Sequence, residues 1–356
     1  MASRKIPASM RQIIVKKLGT NFREVTEIVE ARIPSPGPKQ ILVKNKFLGI
    51  NASDINYAAG RYDPTKKPPF TPGFEGLGEV VSVGSDAKSK LGQTVVYSKF
   101  GAFQEYIAVD ESTVMPVPSC DPAFLTFMVS GLTASIALEK LGRLSPGNVV
   151  LVTAAAGGTG QFAVQLAKSA GCHVIGTCSN EDKVAFLKSI GCDRAVNYNK
   201  ESLNDVLSKE YRKGVDVVYE SVGNEMLDAA LKNIALFGRI IVIGSISNYA
   251  TESESEQSLN SMGDKSKMNI PVTLLQKSAS MNGFFFSHYR ADIKNHLLSL
   301  TKQYKSGSLK VFTDKGVGVP TGPFVGLEKV VDAIEYMYSR KNVGKIVVEL
   351  TERSSL

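Results

Sequence analysis

The chain has 356 residues, 43% of them hydrophobic and 21% charged, the composition of an ordinary soluble globular protein long enough for two domains or one large one. No apolar run approaches the length that spans a bilayer. The net charge of +8 is spread without a dense basic block or a nucleic-acid motif, so membrane-spanning and nucleic-acid-binding classes are set aside. Cys120, Cys172, Cys178 and Cys192 are scattered without a CxxC pair, and His173, His288 and His296 complete the inventory, which argues for reduced thiols and against a His/Cys metal site.

Residues 1–9 are basic and contain serine, as a transit peptide does, but 10–16 already reads as a first strand. Up to about Pro118 the chain is β-rich. Short β-branched or aromatic runs at 12–15, 40–49, 76–83, 93–97 and 103–109 are separated by turn residues at 34–38 and 63–72. From Ala123 the character changes: 124–141 reads as helix and 142–148 as loop. The apolar run 149–153 reads as a buried parallel strand, 154–160 (AAAGGTG) as a sharp turn, and 161–168 as a helix. Strands over 172–178, 194–197, 215–220 and 238–245 then alternate with helices over 182–190, 202–211 and 225–235. Such alternation specifies a doubly wound parallel sheet. The Ser- and Glu-rich stretch 248–269 reads as a loop, 280–286 as a strand and 293–305 as a helix. A tail from Gly307 returns to β and turn character, with a helix at 327–339 and a last strand at 345–350. Two domains are expected: 1–127 completed by 306–356, and 128–305. The ligand site is expected in the cleft between them, at the carboxyl ends of the parallel strands.

The spacing of Ala155, Gly157 and Gly160 matches G-x-G-x-x-G with alanine in the first place, and Gly158 and Thr159 complete the turn. Small residues there allow a tight turn and close approach of the backbone to a pyrophosphate, and the helix start supplies N–H groups for it. About twenty residues on from Gly157, where NAD-binding sheets carry an acid, stand Ser179 and Lys183. A hydroxyl and a cation suit a 2′-phosphate. Glu181 and Asp182 lie past the strand tip, and Tyr198 follows the next strand, beside the adenine ribose. NADPH is therefore the expected cofactor, the alternative being that Lys183 is a solvated helix residue.

Gly73-Phe74-Glu75 resembles the Gly-His-Glu motif of the medium-chain dehydrogenase/reductase superfamily, and 154–160 its quinone-reductase-type nucleotide turn. Asn51-Ala52-Ser53-Asp54-Ile55-Asn56-Tyr57, Gly60-Arg61-Tyr62-Asp63-Pro64, Val218-Tyr219-Glu220-Ser221-Val222-Gly223, 283–289 (GFFFSHY) and 342–347 (NVGKIV) extend the resemblance over nearly the whole chain. It implies an α/β protein made of a GroES-like β-rich catalytic domain and a Rossmann doubly wound sheet. Zinc-dependent members use a Cys, a His and a further Cys. Asn51 and Phe74 stand at the first two places, 130–133 carries no Cys, and the four-cysteine structural lobe is missing, so no metal is expected.

Without zinc to polarise a carbonyl, the resemblance implies NADPH-dependent reduction of the conjugated double bond of lipophilic enones, of the 15-oxo-prostaglandin 13-reductase type. Tyr62, at the position of a tyrosine used by related enoyl reductases, is the candidate donor to the developing oxyanion, with Tyr57 second and Asn51 a further polar group. Ser221, Gly244, Ser245, Tyr249, Phe285, Phe286, Asn342 and Lys345 are carried over as cofactor contacts. The run 284–286 with Tyr289 is expected to be part pocket wall and part core. The strand 280–286 is also a candidate edge for a homodimer. An NADPH quinone reductase and a non-enzymatic, crystallin-like NADPH-binding protein are the alternatives. The tripeptide Ser354-Ser355-Leu356 resembles the peroxisomal Ser-Lys-Leu signal with serine at its basic centre, so cytoplasm or peroxisome is the expected compartment.

Overall fold

A computed structural model describes residues 6–249 and 269–351. The chain forms two compact units, Met1–Met128 with Thr313–Leu356, and Val129–Phe312.

The first unit is built around the strand Gln40–Gly49. It pairs antiparallel with Glu75–Val83, Tyr106–Asp110 and Lys345–Glu349, and Thr94–Ser98, Val114–Pro116 and Thr313–Asp314 complete the sheet. Apolar side chains from alternate positions, among them Ile41, Val43, Val80, Val95 and Ile107, are buried together. A separate antiparallel pair joins Ser9–Val15 to Thr26–Arg32. That second strand has no counterpart in the sequence reading. Its Glu27, Glu30 and Arg32 are solvent-facing and mask the alternation, because only one of its residues, Thr26, is buried.

The second unit is an all-parallel six-stranded sheet. In chain order its strands are Val149–Val152, His173–Cys178, Arg194–Asn197, Val215–Glu220, Ile234–Val242 and Ser280–Gly283. Across the sheet they run third, second, first, fourth, fifth, sixth. This is the doubly wound dinucleotide-binding order, with its switch point beside the first strand. Leu151, Ile175, Val196, Val218 and Ile240 fill the core. The side-chain amides of Gln161 and Gln165 donate to the Phe312 and Lys310 carbonyl oxygens (3.0 and 2.8 Å), holding 310–312 to this unit.

Further elements differ from the sequence reading. The expected helix 225–235 stops at Lys232, because Ile234 already pairs with Val215 in the sheet; helical spacing there only continued an apolar run. The expected strand 280–286 ends at Gly283, and Phe286–Asp292 is a 3₁₀ segment, so Phe284–Phe286 leave the sheet. The helix over 124–141 contains π turns at Phe127–Gly131 and Leu138–Gly142 on either side of Leu132–Ala137. The loop residues 250–268 and the tripeptide Ser354-Ser355-Leu356 lie outside the described residues. No helix among the described residues is long and apolar enough to cross a membrane.

Candidate functional site

The turn after the first parallel strand is fastened to the second. Ala154 N–H donates to Thr177 Oγ1 and Ala155 N–H to the Thr177 carbonyl oxygen, both at 3.1 Å. The helix Gly160–Ser169 starts against this turn at a distance only glycine permits: a Cβ at Gly160 would overlap the Ala154 carbonyl oxygen and lie 2.7 Å from Ala155 Cα. Alanine is tolerated at the first place of the pattern because Gly176 stands opposite, where a Cβ would be 2.9 Å from that of Ala155. Thr159 turns its hydroxyl inward, donating to the Ser130 carbonyl oxygen (3.0 Å) and meeting the Tyr219 hydroxyl (2.6 Å). Among the described residues no side chain caps the helix, whose start carries the positive end of its dipole.

At the tips of the second and third strands Ser179, Lys183 and Tyr198 come together. Tyr198 N–H donates to the Cys178 carbonyl oxygen (3.0 Å), and Asn199 Nδ2 to that of Ser179 (2.7 Å). Asn180 caps the following helix by accepting the Lys183 N–H (2.9 Å), which sets Lys183 in the first turn. Lys183 is 7% exposed, so it is not a solvated helix residue. The nearby acid Glu181 is engaged: it accepts from Asn197 Nδ2 (2.6 Å) and pairs with Lys200 (3.0 Å), and these bonds hold its carboxyl below the usual range.

The tips of the fourth and fifth strands form a second polar knot. Thr153 Oγ1 donates to Glu220 Oε1 (3.1 Å) and accepts the Ser221 N–H (2.8 Å). The Glu220 carboxylate also accepts the N–H groups of Val222 and Gly223, at 3.0–3.1 Å, while burial pushes its pKa up. A Cβ on Gly223 would run into Ser245 Oγ, so the two loops are in contact. Ser245 N–H donates to the Tyr249 hydroxyl (2.9 Å), which would be 2.7 Å from a Cβ on Gly244. Ser221, Gly244, Ser245 and Tyr249 are thus gathered, and among the described residues Ser221 Oγ is buried without a hydrogen-bond partner. Sequence reasoning missed Thr153, Thr177 and Glu220 as the scaffold of these loops. Their signal is a polar residue at the carboxyl end of an otherwise apolar strand. Phe284 is buried and stacks on Tyr289 (4.6 Å), Phe285 is 38% exposed beside His288 (5.3 Å), and Phe286 is half-buried.

In the first unit the short helix Ser53–Ala58 carries Tyr57 into an aromatic cluster. Its ring centroid lies 5.3 Å from Tyr62, 4.7 Å from Phe74 and 5.3 Å from Phe100. Burial raises the Tyr57 pKa, so this hydroxyl keeps its proton. Tyr62 is the more open of the two, 36% exposed. Asn51 does not join them. It is buried, donating through Nδ2 to Glu75 Oε1 (2.9 Å) and accepting from the Lys345 ammonium. Lys345, also buried, pairs with Glu75. Asp54 accepts the Asn51 N–H (2.8 Å), and burial lifts its carboxyl to about 8. Asn342 Nδ2 donates to the Gly344 carbonyl oxygen (3.1 Å). The two places where zinc-dependent relatives carry Cys and His thus hold a bonded amide and a ring of the aromatic cluster. No three His, Cys, Asp or Glu among the described residues are grouped as metal ligands.

Comparisons with known proteins agree with this arrangement. Residues 37–119 match the alcohol dehydrogenase GroES-like domain family, and residues 158–303 the family described as zinc-binding dehydrogenase. The chain is 52% identical to prostaglandin reductase-3 of Mus musculus over 97% of its own length and 90% of the relative's. It is 42% identical to a probable quinone oxidoreductase of Leishmania amazonensis, over 97% and 99% of the two chains. The crystal structure of Escherichia coli quinone oxidoreductase complexed with NADPH superposes with a TM-score of 0.80 at 27% identity, covering 95% and 99% of the two chains. With the dinucleotide-binding sheet order, the glycine turn and the GroES-like unit, these likenesses show that the chain belongs to the medium-chain dehydrogenase/reductase superfamily, in its quinone-reductase-like branch.

Proposed function

We propose that this chain uses NADPH to reduce the conjugated carbon–carbon double bond of lipophilic enones, of the 15-oxo-prostaglandin type, with no metal. The observation that carries the reading is the 52% identity to prostaglandin reductase-3 over 97% of the chain. The residues present fit a dinucleotide: Gly160 lets the helix start pack directly on the 154–155 backbone, as the nucleotide turn requires, and Ser221 Oγ is a buried polar atom with no partner among the described residues. The 155–160 turn and the uncapped helix would hold the pyrophosphate, Ser179 and Lys183 the 2′-phosphate, and Tyr198 the adenine ribose. Ser221, Gly244, Ser245 and Tyr249 would line the strand ends. Phe285, Phe286, Asn342 and Lys345 are further contacts, Lys345 through its main chain because its ammonium is engaged by Glu75 and Asn51.

NADPH, when bound, supplies a hydride. The protein must then stabilise the charge that gathers on the enone oxygen. Tyr62 is assigned that hydroxyl donor. Tyr57, with its proton held by burial, orients the Tyr62 ring by edge contact. Asn51 is assigned a positioning role, since both ends of its amide are bonded within the protein. The strand Ser280–Gly283 ends the parallel sheet, which supports a homodimer. Cytoplasm or peroxisome is the proposed compartment.

NADPH oxidation against 15-oxo-prostaglandins, alkenals and quinones tests the reading. Enones should show the highest kcat/KM. Faster turnover of quinones would favour the second reading, supported by the Leishmania amazonensis relative. Tight NADPH binding without turnover of any compound would leave the binding-protein reading.

A further inference from the structure

We infer that the substrate carries a carboxylate, and that Lys66 is the cation that receives it at the edge of the Tyr57–Tyr62 aromatic cluster. The inference rests on the enone-reductase reading above and deepens it.

Lys66 is half-buried, with its ammonium 3.1 Å from the centroid of Phe100 and 5.2 Å from that of Phe70. Other lysines drawn into the fold have an acceptor: Lys345 has Glu75, Lys168 has Asp193, Lys329 has Asp332, and Lys99 the Ala108 carbonyl oxygen. Among the described residues no carboxylate lies within ion-pair distance of the Lys66 ammonium. The one acid of its loop, Asp63, is turned to Thr65, accepting from the backbone N–H (3.2 Å) and from Oγ1 (2.6 Å). Lys66 loses water to two rings while the only opposing pull is the Coulombic field of Asp63, which does not reach ion-pair distance; desolvation outweighs it and lowers the Lys66 pKa. An incoming carboxylate would offset that desolvation.

The surroundings state what such an anion is attached to. From the Lys66 ammonium the rings lead in successive steps of 3.1 Å to Phe100, 5.3 Å to Tyr57 and 5.3 Å to Tyr62. Phe100 and Tyr57 are partly exposed and Tyr62 exposed, so these rings form an apolar row between the cation and the candidate oxyanion donor. It suits an acyl chain with a carboxylate at one end and an enone further along. Neutral short alkenals lack the first feature.

The test compares kcat/KM at saturating NADPH for a 15-oxo-prostaglandin as free acid and as methyl ester. The acid should be preferred by about tenfold, the size of a charge-assisted hydrogen bond. In Lys66→Met the ratio should fall to near one, through KM for the acid, and Lys66→Arg should restore most of it. Equal use of acid and ester by the wild type overturns the inference and leaves the reductase reading standing. So does a preference that survives Lys66→Met, or a Lys66→Met effect on KM for NADPH in place of the acid. Turnover of neither compound, with quinones reduced, overturns both.

Discussion

The roles proposed for Tyr62 and Lys183 can be tested separately. If the Tyr62 hydroxyl stabilises the developing charge, Tyr62→Phe should lower kcat by roughly 10²–10³ with NADPH affinity intact. The ring contact with Tyr57 survives the change, so the melting temperature should barely move. Steady-state kinetics and a thermal melt on the same preparation check both statements, and a loss of only a few fold would assign the oxyanion to another donor. Lys183 answers for the coenzyme. Lys183→Ala should raise Kd for NADPH by about 10- to 100-fold, a charge-assisted hydrogen bond being worth roughly 1.5–3 kcal/mol, while NADH binding stays nearly constant. Fluorescence titration with both nucleotides decides it; equal loss of the two refutes the 2′-phosphate assignment. The sequence offered Tyr62 through its resemblance to related enoyl reductases, and Lys183 because a cation stands near the strand tip where NAD-binding sheets carry an acid. It did not reveal that Asn51 and Lys345 are bonded to one another and to Glu75, since that depends on residues far apart in the chain.

At the scale of elements, the strand–turn–helix that begins the parallel sheet is the best test of local reasoning. Alanine normally favours a helix over glycine by up to about 1 kcal/mol. At Gly160 the added methyl would meet backbone atoms of residues 154 and 155, which cannot rotate away as a side chain can. Gly160→Ala should therefore destabilise, by roughly 1–3 kcal/mol, and weaken both NADPH and NADH. Urea unfolding and nucleotide titration measure the two effects. A stabilised variant with normal affinity would show that the close approach is not needed. Strands were legible where buried residues form an apolar or β-branched run, as at 215–220 and 40–49. They were not legible at Thr26–Arg32, whose outer face is charged. Nor was the end of the Ser280–Gly283 strand, where an aromatic run continues past the last pairing.

The whole molecule is organised by returns of the chain. Lys345, on the last strand, meets Asn51, 294 residues earlier, and Glu75 in a cluster shielded from water. Removing one member of a buried ion pair strands its partner. Lys345→Met should cost about 3–5 kcal/mol, and Glu75→Gln added to it should recover a large part. Denaturant unfolding of the two single variants and the double variant gives the coupling. A Lys345→Met variant as stable as the wild type would mean that the pair contributes nothing to the fold.

Periodicity, turn residues and the small-residue spacing of 155–160 determined the parallel sheet, the nucleotide turn and the β-rich unit from the sequence alone, because each depends on neighbours within a few residues. The absence of Cys and His at 51 and 74 was equally legible, since a missing ligand type needs no geometry to be noticed. Tertiary structure alone decided which polar groups pair. It buried Asn51 and Lys345 beside Glu75, drew Lys183 out of solvent, and set Lys66 over Phe100 with no carboxylate of the described residues within ion-pair distance. Those outcomes follow from desolvation and from partners supplied by distant segments, and neither is encoded at the position of the residue itself.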